Sequence, residues 1–248
     1  MDDATARALD AINLDFYRER ADEFSAARER PWRGWSRLAE LLRERGDARE
    51  LEVLDAGCGN GRFGAFLAAE GLAARRYVGV DASPGLLAHA RARGLAGAEY
   101  RAADLLADDP GRALPGGAFG LVTLFGVLHH VAGFERRRAL ARALLARVAA
   151  RGLFVFSAWQ APGPGPGEGR RVPWGEWAPA RAIDPAALEP GDCLLAWGPG
   201  RAAVRYVHFA DDAELDALLA DLPARAVAVW TGEDGRGSSN RYFALAPA

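Results

Sequence analysis

Acidic side chains follow two apolar segments of this sequence, and glycines surround the first of them. Asp55 ends the apolar segment at residues 51–54, and Asp81 ends the segment at residues 77–80. Between them lies a turn whose glycines, at positions 57, 59 and 61, lack a Cβ and let a ligand approach the backbone. A carboxylate such as Asp81, 24 positions after Gly57, can accept hydrogen bonds from both ribose hydroxyls of a nucleoside. These residue types at this spacing predict a nucleoside-binding site.

Predicted strands and helices alternate along residues 51–157. Apolar strand segments end at residues 55, 80, 101, 125 and 157, and helices are predicted at residues 62–70, 83–94 and 134–150. This alternation predicts an α/β fold with a parallel, doubly wound sheet, in which ligands bind at the carboxyl ends of the strands. Asp55, Asp81, Asp104 and Phe125 all fall at or just after such ends. We therefore expect them to surround one ligand.

The glycine turn is not a dinucleotide fingerprint, because position 62 would then be glycine and is Arg62. Its acidic-x-Gly-x-Gly-x-Gly order resembles the first signature of class I S-adenosylmethionine-dependent methyltransferases. The resemblance implies a Rossmann-like, mostly parallel seven-stranded sheet, with S-adenosyl-L-methionine as the cofactor. It also implies that Asp104 accepts from the adenine amine and that Leu105 covers the ring. The implied cofactor-binding residues are Asp55, Gly57, Cys58, Gly59, Asn60, Gly61, Asp81, Ala82, Asp104, Leu105 and Phe125.

The flanking segments are interpreted as parts of one methyltransferase domain over residues 1–248. Residues 1–47 are predicted to form a helical lid, interrupted at Pro31, and residues 48–160 form the cofactor-binding core. Residues 161–203 hold a proline- and glycine-rich loop, expected to be mobile, and a tryptophan-rich insertion. Within residues 204–248 the pattern predicts a strand, a helix and an antiparallel C-terminal hairpin, which class I methyltransferases add to the sheet.

Three flanking motifs carry a narrower resemblance. They are Phe24-Ser25 with Arg28 and Pro31-Trp32; residues 127–130, which end in His129-His130; and a late motif with Gly191-Asp192, Trp197, Arg205-Tyr206, His208-Phe209 and Glu214-Leu215. This set is similar to the wobble-uridine tRNA carboxymethyl methyltransferase family, whose members esterify a carboxymethyl group on an anticodon uridine. Ala27, Ala196 and Arg241 stand where that family has Thr, Pro and Trp. The departures leave methyl transfer intact and leave the tRNA acceptor open.

Arg28 and Arg205 are the candidate catalytic cations. A carboxylate acceptor is already ionised at neutral pH, so it needs an orienting guanidinium more than a base. Arg28 has a second interpretation, in which it binds the carboxylate of the cofactor. A phenol, hydroxyl or amine acceptor would instead require a base, for which His129 or His130 is the candidate. No metal site is expected, since adjacent histidines on a helix point in different directions.

Composition excludes some broad classes of function. The net charge of −2 gives no overall electrostatic case for nucleic acid, and every Lys or Arg position is arginine. Two distant cysteines and the lack of a long apolar run favour a soluble, cytoplasmic protein without membrane association. The methyl acceptor is expected to be either tRNA or a small molecule. A third alternative is a non-catalytic protein that binds S-adenosylmethionine or a partner; an activating partner is conceivable but unsupported.

Overall fold

The structure is a computed structural model. It describes residues 1–46, 51–72, 74–107, 109–160, 170–178, 181–198, 200, 202–233 and 239–248. The predicted proline- and glycine-rich loop, except for Arg170, and most of the predicted turn at residues 232–239 lie outside this part of the chain.

Seven strands form the main sheet, in the order β3-β2-β1-β4-β5-β10-β9. The first five are parallel, and β10 pairs antiparallel with both β5 and β9. This confirms the predicted doubly wound sheet with an antiparallel C-terminal pair. Its strands are β1 (Glu52–Ala56), β2 (Arg76–Asp81), β3 (Ala98–Ala102), β4 (Phe119–Leu124), β5 (Val148–Trp159), β9 (Ala224–Glu233) and β10 (Ser239–Pro247).

Helices cover both faces of this sheet, and apolar side chains from alternate strand positions pack beneath them. Side-chain caps fix the start of two helices. The Ser83 hydroxyl accepts a hydrogen bond from the Leu86 N–H, and Pro84 follows as the first residue of that helix. The Asp211 carboxylate accepts from the Glu214 N–H at the start of the last helix. The helices are α1 (Asp3–Glu19), α2 (Ala21–Ala26), α3 (Arg33–Glu44), α4 (Arg62–Ala69), α5 (Pro84–Ala92), α6 (Pro110–Ala113), α7 (Phe134–Leu145), α8 (Trp174–Trp177) and α9 (Asp212–Ala220).

The helix predicted for residues 134–150 is too long at its C-terminus. The observed helix α7 ends at Leu145, and β5 already begins at Val148, which pairs with Phe119 of β4. Alanines at 149 and 150 favour a helix, but the parallel neighbour β4 offers backbone partners that override this local preference. The result is a strand of 12 residues with a register shift opposite Phe119 and Leu121.

A second, antiparallel sheet was not predicted. It contains β6 (Arg171–Val172), β7 (Asp192–Trp197) and β8 (Ala203–His208) in that order. Helix α1 packs against β8, and apolar residues of α1, β7 and β8 share one cluster. The N-terminal helices and the second sheet therefore support each other next to the carboxyl edge of the main sheet.

Candidate active site

A cleft opens at the carboxyl edge of β1, β2 and β4. Its floor is the glycine turn after β1, and its outer wall comes from α1, α2 and the segment before α3. The predicted cofactor residues that line it are Asp55, Gly57, Cys58, Gly59, Asn60, Asp81, Ala82, Asp104, Leu105 and Phe125. The structure thus brings ten of the eleven predicted cofactor residues to one cleft.

Asp81 is held at the end of β2 by backbone hydrogen bonds. Its Oδ1 accepts from the Ser83 N–H at 2.8 Å, and its Oδ2 accepts from the Gly59 N–H at 2.9 Å. Burial raises the pKa of Asp81, and these two hydrogen bonds oppose the rise. Each carboxylate oxygen has a further lone pair, so the group can accept two more donors from a ligand. A pair of adjacent hydroxyls is a fitting partner.

Asp55 lies deeper, at the end of β1. The Tyr77 hydroxyl donates to its Oδ2, and the Thr123 hydroxyl donates to its Oδ1 at 2.7 Å. Burial raises the pKa of Asp55 to about 6, although both hydroxyls lower it. The carboxylate is therefore part of the floor of the cleft and links three neighbouring strands.

The glycine turn leaves open space where a ligand would pass. Gly59 has a φ of +53°, and a Cβ added there would meet no atom within 4 Å. A Cβ at Gly57 would instead collide with Val127, so that glycine permits close packing. Gly61 does not line the cleft; it precedes α4 with a φ of +74° and packs against Ala90. The open face of the turn is thus centred on Gly59.

Tyr17 and His130 form a hydrogen-bonded pair in the cleft wall. The His130 Nε2 lies 2.9 Å from the Tyr17 hydroxyl, and its Nδ1 lies 2.9 Å from the Tyr206 carbonyl oxygen. Burial lowers the pKa of His130 to about 3, so the ring is neutral at pH 7. Since a carbonyl oxygen only accepts, Nδ1 carries the proton and Nε2 accepts from Tyr17. The Asn13 Nδ2 lies 3.2 Å from the same Nδ1, but both nitrogens carry hydrogen in this tautomer, so the contact is not a hydrogen bond.

Arg28 and Arg205 lie beside the cleft, in an aromatic cluster formed by Phe16, Phe24 and Trp197. The Arg28 guanidinium lies 5.3 Å from the Phe24 ring and 5.6 Å from the Trp197 ring. Arg205 lies 4.9 Å from the same indole and 5.2 Å from Phe16. Both arginines thus lie over aromatic faces, which attract cations.

His129 lies near both arginines and stacks on Trp159, with ring centroids 3.8 Å apart. Burial lowers the pKa of His129 well below its ordinary value, and the positive charges of Arg205 and Arg28 lower it further. His129 is therefore neutral at pH 7. Neither it nor Arg28 nor Arg205 lines the cofactor cleft itself. The three predicted catalytic residues instead meet in a neighbouring region.

Several buried polar atoms in this region lack a hydrogen-bond partner within the described ranges. They are Arg205 Nε, His129 Nδ1, Trp159 Nε1 and both amide atoms of Asn240. All four residues are at most 9% exposed. A buried polar atom left unpaired costs about 1–3 kcal/mol, so native proteins contain few of them. A cluster of such atoms beside a cofactor cleft is typical of a ligand site.

Comparison with known proteins agrees with this geometry. Residues 53–152 match the family model described as a methyltransferase domain. The matched residues run from β1 into β5 and include the glycine turn, Asp81 and Asp104. No curated protein matches this chain significantly over its sequence.

Solved structures share the fold of this chain over nearly its whole length. A complex of DhpI with S-adenosylhomocysteine is 22% identical, covers 98% of this chain and 100% of its own, and has a TM-score of 0.63. Magnesium protoporphyrin IX methyltransferase from Synechocystis PCC 6803 is 17% identical, with coverages of 96% and 99% and a TM-score of 0.65. The 1,6-didemethyltoxoflavin-N1-methyltransferase of Burkholderia thailandensis is 19% identical, with coverages of 98% and 89% and a TM-score of 0.60.

The late sequence motif of the chain forms a buried ionic network. Arg137 of α7 donates to Glu189 at 2.7 Å and to Glu214 at 2.8 Å. His208 contacts Asp192 at 2.7 Å and Glu214 at 2.6 Å. Burial alone would lower the pKa of His208, but these two hydrogen bonds outweigh it and raise the pKa. Glu189, Asp192 and His208 are close enough to hold a metal ion, yet Arg137 and Glu214 already satisfy their charges.

Sequence analysis predicted an N-terminal lid, and its motif included Trp32, but it did not single out Asn13, Tyr17 or Trp35 as cleft residues. Asn13 and Tyr17 of α1, together with Trp32 and Trp35, line the cleft. Asn13 and Tyr17 are four residues apart and share one helix face with the buried Leu9 and Phe16. Two polar side chains on an otherwise apolar face were the available signal. Among the described residues, no helix has the length and apolar character to cross a membrane.

Proposed function

We propose that the methyltransferase binds S-adenosyl-L-methionine in the cleft and methylates a carboxylate oxygen of an acceptor bound beside Arg28 and Arg205. The cleft fits the cofactor by its donor set. Asp81 offers lone pairs to two ribose hydroxyls, Gly59 leaves room for the chain that follows the ribose, and Asp104 with Leu105 suits an amino-substituted base. When bound, the cofactor supplies an electrophilic methyl group on a sulfonium.

One observation supports a carboxylate acceptor: the region pairs two cations with histidines that are poor bases. His129 and His130 are both neutral, with lowered pKa values, so neither readily takes a proton from a hydroxyl or an amine. A carboxylate is ionised at pH 7 and needs no base. Arg205 can hold one oxygen of the carboxylate and direct the other, since alignment supplies most of the catalysis in an in-line displacement.

We propose a carboxymethylated wobble uridine of tRNA as the first acceptor to test. Three sequence motifs that support it meet in the structure, because Phe24, Arg28 and Trp197 are in mutual contact and Arg205 and His129 adjoin them. A small-molecule carboxylate is the second candidate, because proteins with this fold include methyltransferases of magnesium protoporphyrin IX and of 1,6-didemethyltoxoflavin. Both candidates place an anion against the same guanidinium groups.

The test is methyl transfer to 5-carboxymethyluridine, offered as the nucleoside and within an anticodon stem-loop, with the carboxamide analogue as control. Mass spectrometry should find a methyl ester on the carboxylate and no product from the amide. Arg205→Gln should lower kcat/KM by about a hundredfold, because a buried charge loses its partner. Equal methylation of the carboxamide would contradict the proposed acceptor chemistry.

A further inference from the structure

Asn240, Trp159 and His129 form a small polar group where the main sheet meets the second sheet. Asn240 of β10 is the register partner of Trp159 of β5, so the two side chains lie next to each other on one face of the sheet. The Trp159 ring stacks on His129 with an angle of 13° between the planes. The three side chains are therefore contiguous.

These three residues offer hydrogen bonds that nothing in the described part of the chain uses. The unpartnered atoms are His129 Nδ1, Trp159 Nε1, and the Nδ2 and Oδ1 of Asn240, which is 1% exposed. Asn13 is equally buried, at 3%, but its Oδ1 accepts from the Tyr206 N–H at 3.0 Å. The fold can thus satisfy a buried asparagine, and it does not do so at position 240.

The group borders the place where methyl transfer would occur. Val127 and His130, which are close to His129 in sequence, line the cofactor cleft. Arg205 is close enough for its charge to lower the pKa of His129. An acceptor whose carboxylate meets Arg205 therefore lies near His129, on which Trp159 stacks.

We infer that Asn240, Trp159 and His129 form a subsite for the non-reacting part of the acceptor, a neutral planar group with a carbonyl beside an N–H. A carboxamide side chain presents one donor and one acceptor side by side, which complements an amide or imide edge. The Trp159 N–H adds a second donor for a carbonyl oxygen. The inference rests on the proposed function, because that function brings the acceptor to Arg205.

The first test measures thermal stability, because a binding role and a structural role of Asn240 predict opposite changes in Tm. Asn240→Leu removes two unsatisfied buried atoms, so the Tm should stay unchanged or rise. The matched control, Asn13→Leu, leaves the Tyr206 N–H unpaired and should lower the Tm. Affinity for S-adenosylmethionine, measured by calorimetry, should be unchanged in Asn240→Leu. A fall in Tm as large as that of Asn13→Leu would overturn the inference.

The second test measures binding of two probes to the full chain saturated with S-adenosylhomocysteine. The probes are 5-carboxymethyluracil, which has a carboxylate and an imide edge, and phenylacetate, which has a carboxylate alone. Wild type should bind the first at least about tenfold more tightly. Asn240→Leu and Trp159→Phe, which retains an aromatic ring for stacking, should remove that preference without changing phenylacetate binding.

The two proposals fail in different ways. Equal affinity of wild type for both probes, including failure to bind either, overturns the subsite, as does unchanged preference in both variants. A retained preference without any methyl transfer to 5-carboxymethyluracil leaves the subsite supported and contradicts the proposed reaction. Trp159→Phe keeps the inference testable if Asn240→Leu does not fold.

Discussion

Asp81 combines two tasks in a single side chain. Its oxygens accept the N–H groups of Gly59 and Ser83, which fixes the glycine turn against the start of α5. The remaining lone pairs face the cleft. Because both tasks serve the cofactor site, substitution at this position affects binding more than folding.

We expect Asp81→Ala to weaken S-adenosylmethionine binding by roughly a hundredfold, since two charge-assisted hydrogen bonds are lost and the turn loses its anchor. Calorimetric titration measures this, with wild-type binding expected near −8 kcal/mol, in the micromolar range. The matched control is Glu99→Ala, an exposed carboxylate on β3, which should bind normally. Unchanged affinity in Asp81→Ala would contradict the assignment of the ribose site.

The neutral state of His129 and His130 leads to a prediction about the pH dependence of kcat/KM. The pKa of His130 is about 3 and that of His129 is well below its ordinary value, so neither titrates between pH 7 and pH 9. The kcat/KM for a carboxylate acceptor should therefore stay level across this range, because its carboxylate is also fully ionised. Initial rates at saturating cofactor check it. A rise of about tenfold per pH unit would indicate a general base and contradict the carboxylate mechanism.

Residue roles could be predicted from the sequence where they depend on position along a strand. Asp55, Asp81, Asp104 and Phe125 all lie at the predicted cleft, because strand ends are set by local periodicity. Tyr17 and Asn240 were not predicted as site residues, because their surroundings depend on segments that are distant in sequence, around His130 for Tyr17 and around Trp159 for Asn240. Only the tertiary structure shows that one is paired with His130 and the other is unpaired.

At the scale of elements, Arg137 joins helix α7 to the second sheet and to α9. Its side chain is 2% exposed and ion-paired with Glu189 and Glu214. Arg137→Met should destabilise the fold by about 3–5 kcal/mol, because two carboxylates would lose their buried partner. Its neighbour Arg138 is 32% exposed and pairs with Glu135 and Asp221. Arg138→Met should cost no more than about 1 kcal/mol.

Urea unfolding of both variants measures this difference. Equal, small losses of free energy would mean that the network is not a major link between the second sheet and the core. The same comparison tests whether the late sequence motif serves architecture, as the ion pairs of Asp192, His208 and Glu214 indicate.

His208 makes the network sensitive to pH. Its pKa is raised in the folded state, where it donates to Asp192 and Glu214. A group with a raised folded pKa contributes its full stability below the unfolded value, about 6.5 for histidine. That stability is lost as the pH rises from 6.5 through the folded pKa. Wild type should therefore lose Tm over this window, relative to His208→Asn.

Thermal unfolding from pH 6 to pH 9 checks the linkage, and parallel curves of Tm against pH for the two proteins would contradict it.

The second sheet, which carries part of this network, could not be predicted as a sheet from the sequence. Strand β6 has only two residues, Arg171 and Val172, which is too short for a periodic pattern. The pairing within this sheet is decided by burial against α1, which periodicity does not reveal.

On the scale of the whole molecule, the cofactor cleft and the proposed acceptor region have two different supports. The parallel half of the main sheet presents the residues of the cofactor cleft. The proposed acceptor region lies at the end of β5, where Trp159 packs against the second sheet and Asn240 of β10 is its register partner. The alternation of strands and helices predicted the first support, whereas the second depends on how distant segments pack.

The most direct measurement follows the methyl group itself. Purified protein is incubated with S-adenosylmethionine labelled at the methyl group and with separate tRNA and small-molecule fractions, and the product is then treated with mild base. A methyl ester releases volatile labelled methanol, whereas an N-methyl group or a methyl ether keeps its label. We expect base-labile label from wild type and almost none from Asp81→Ala or Arg205→Gln. Label that is transferred but stable to base would contradict carboxylate methylation.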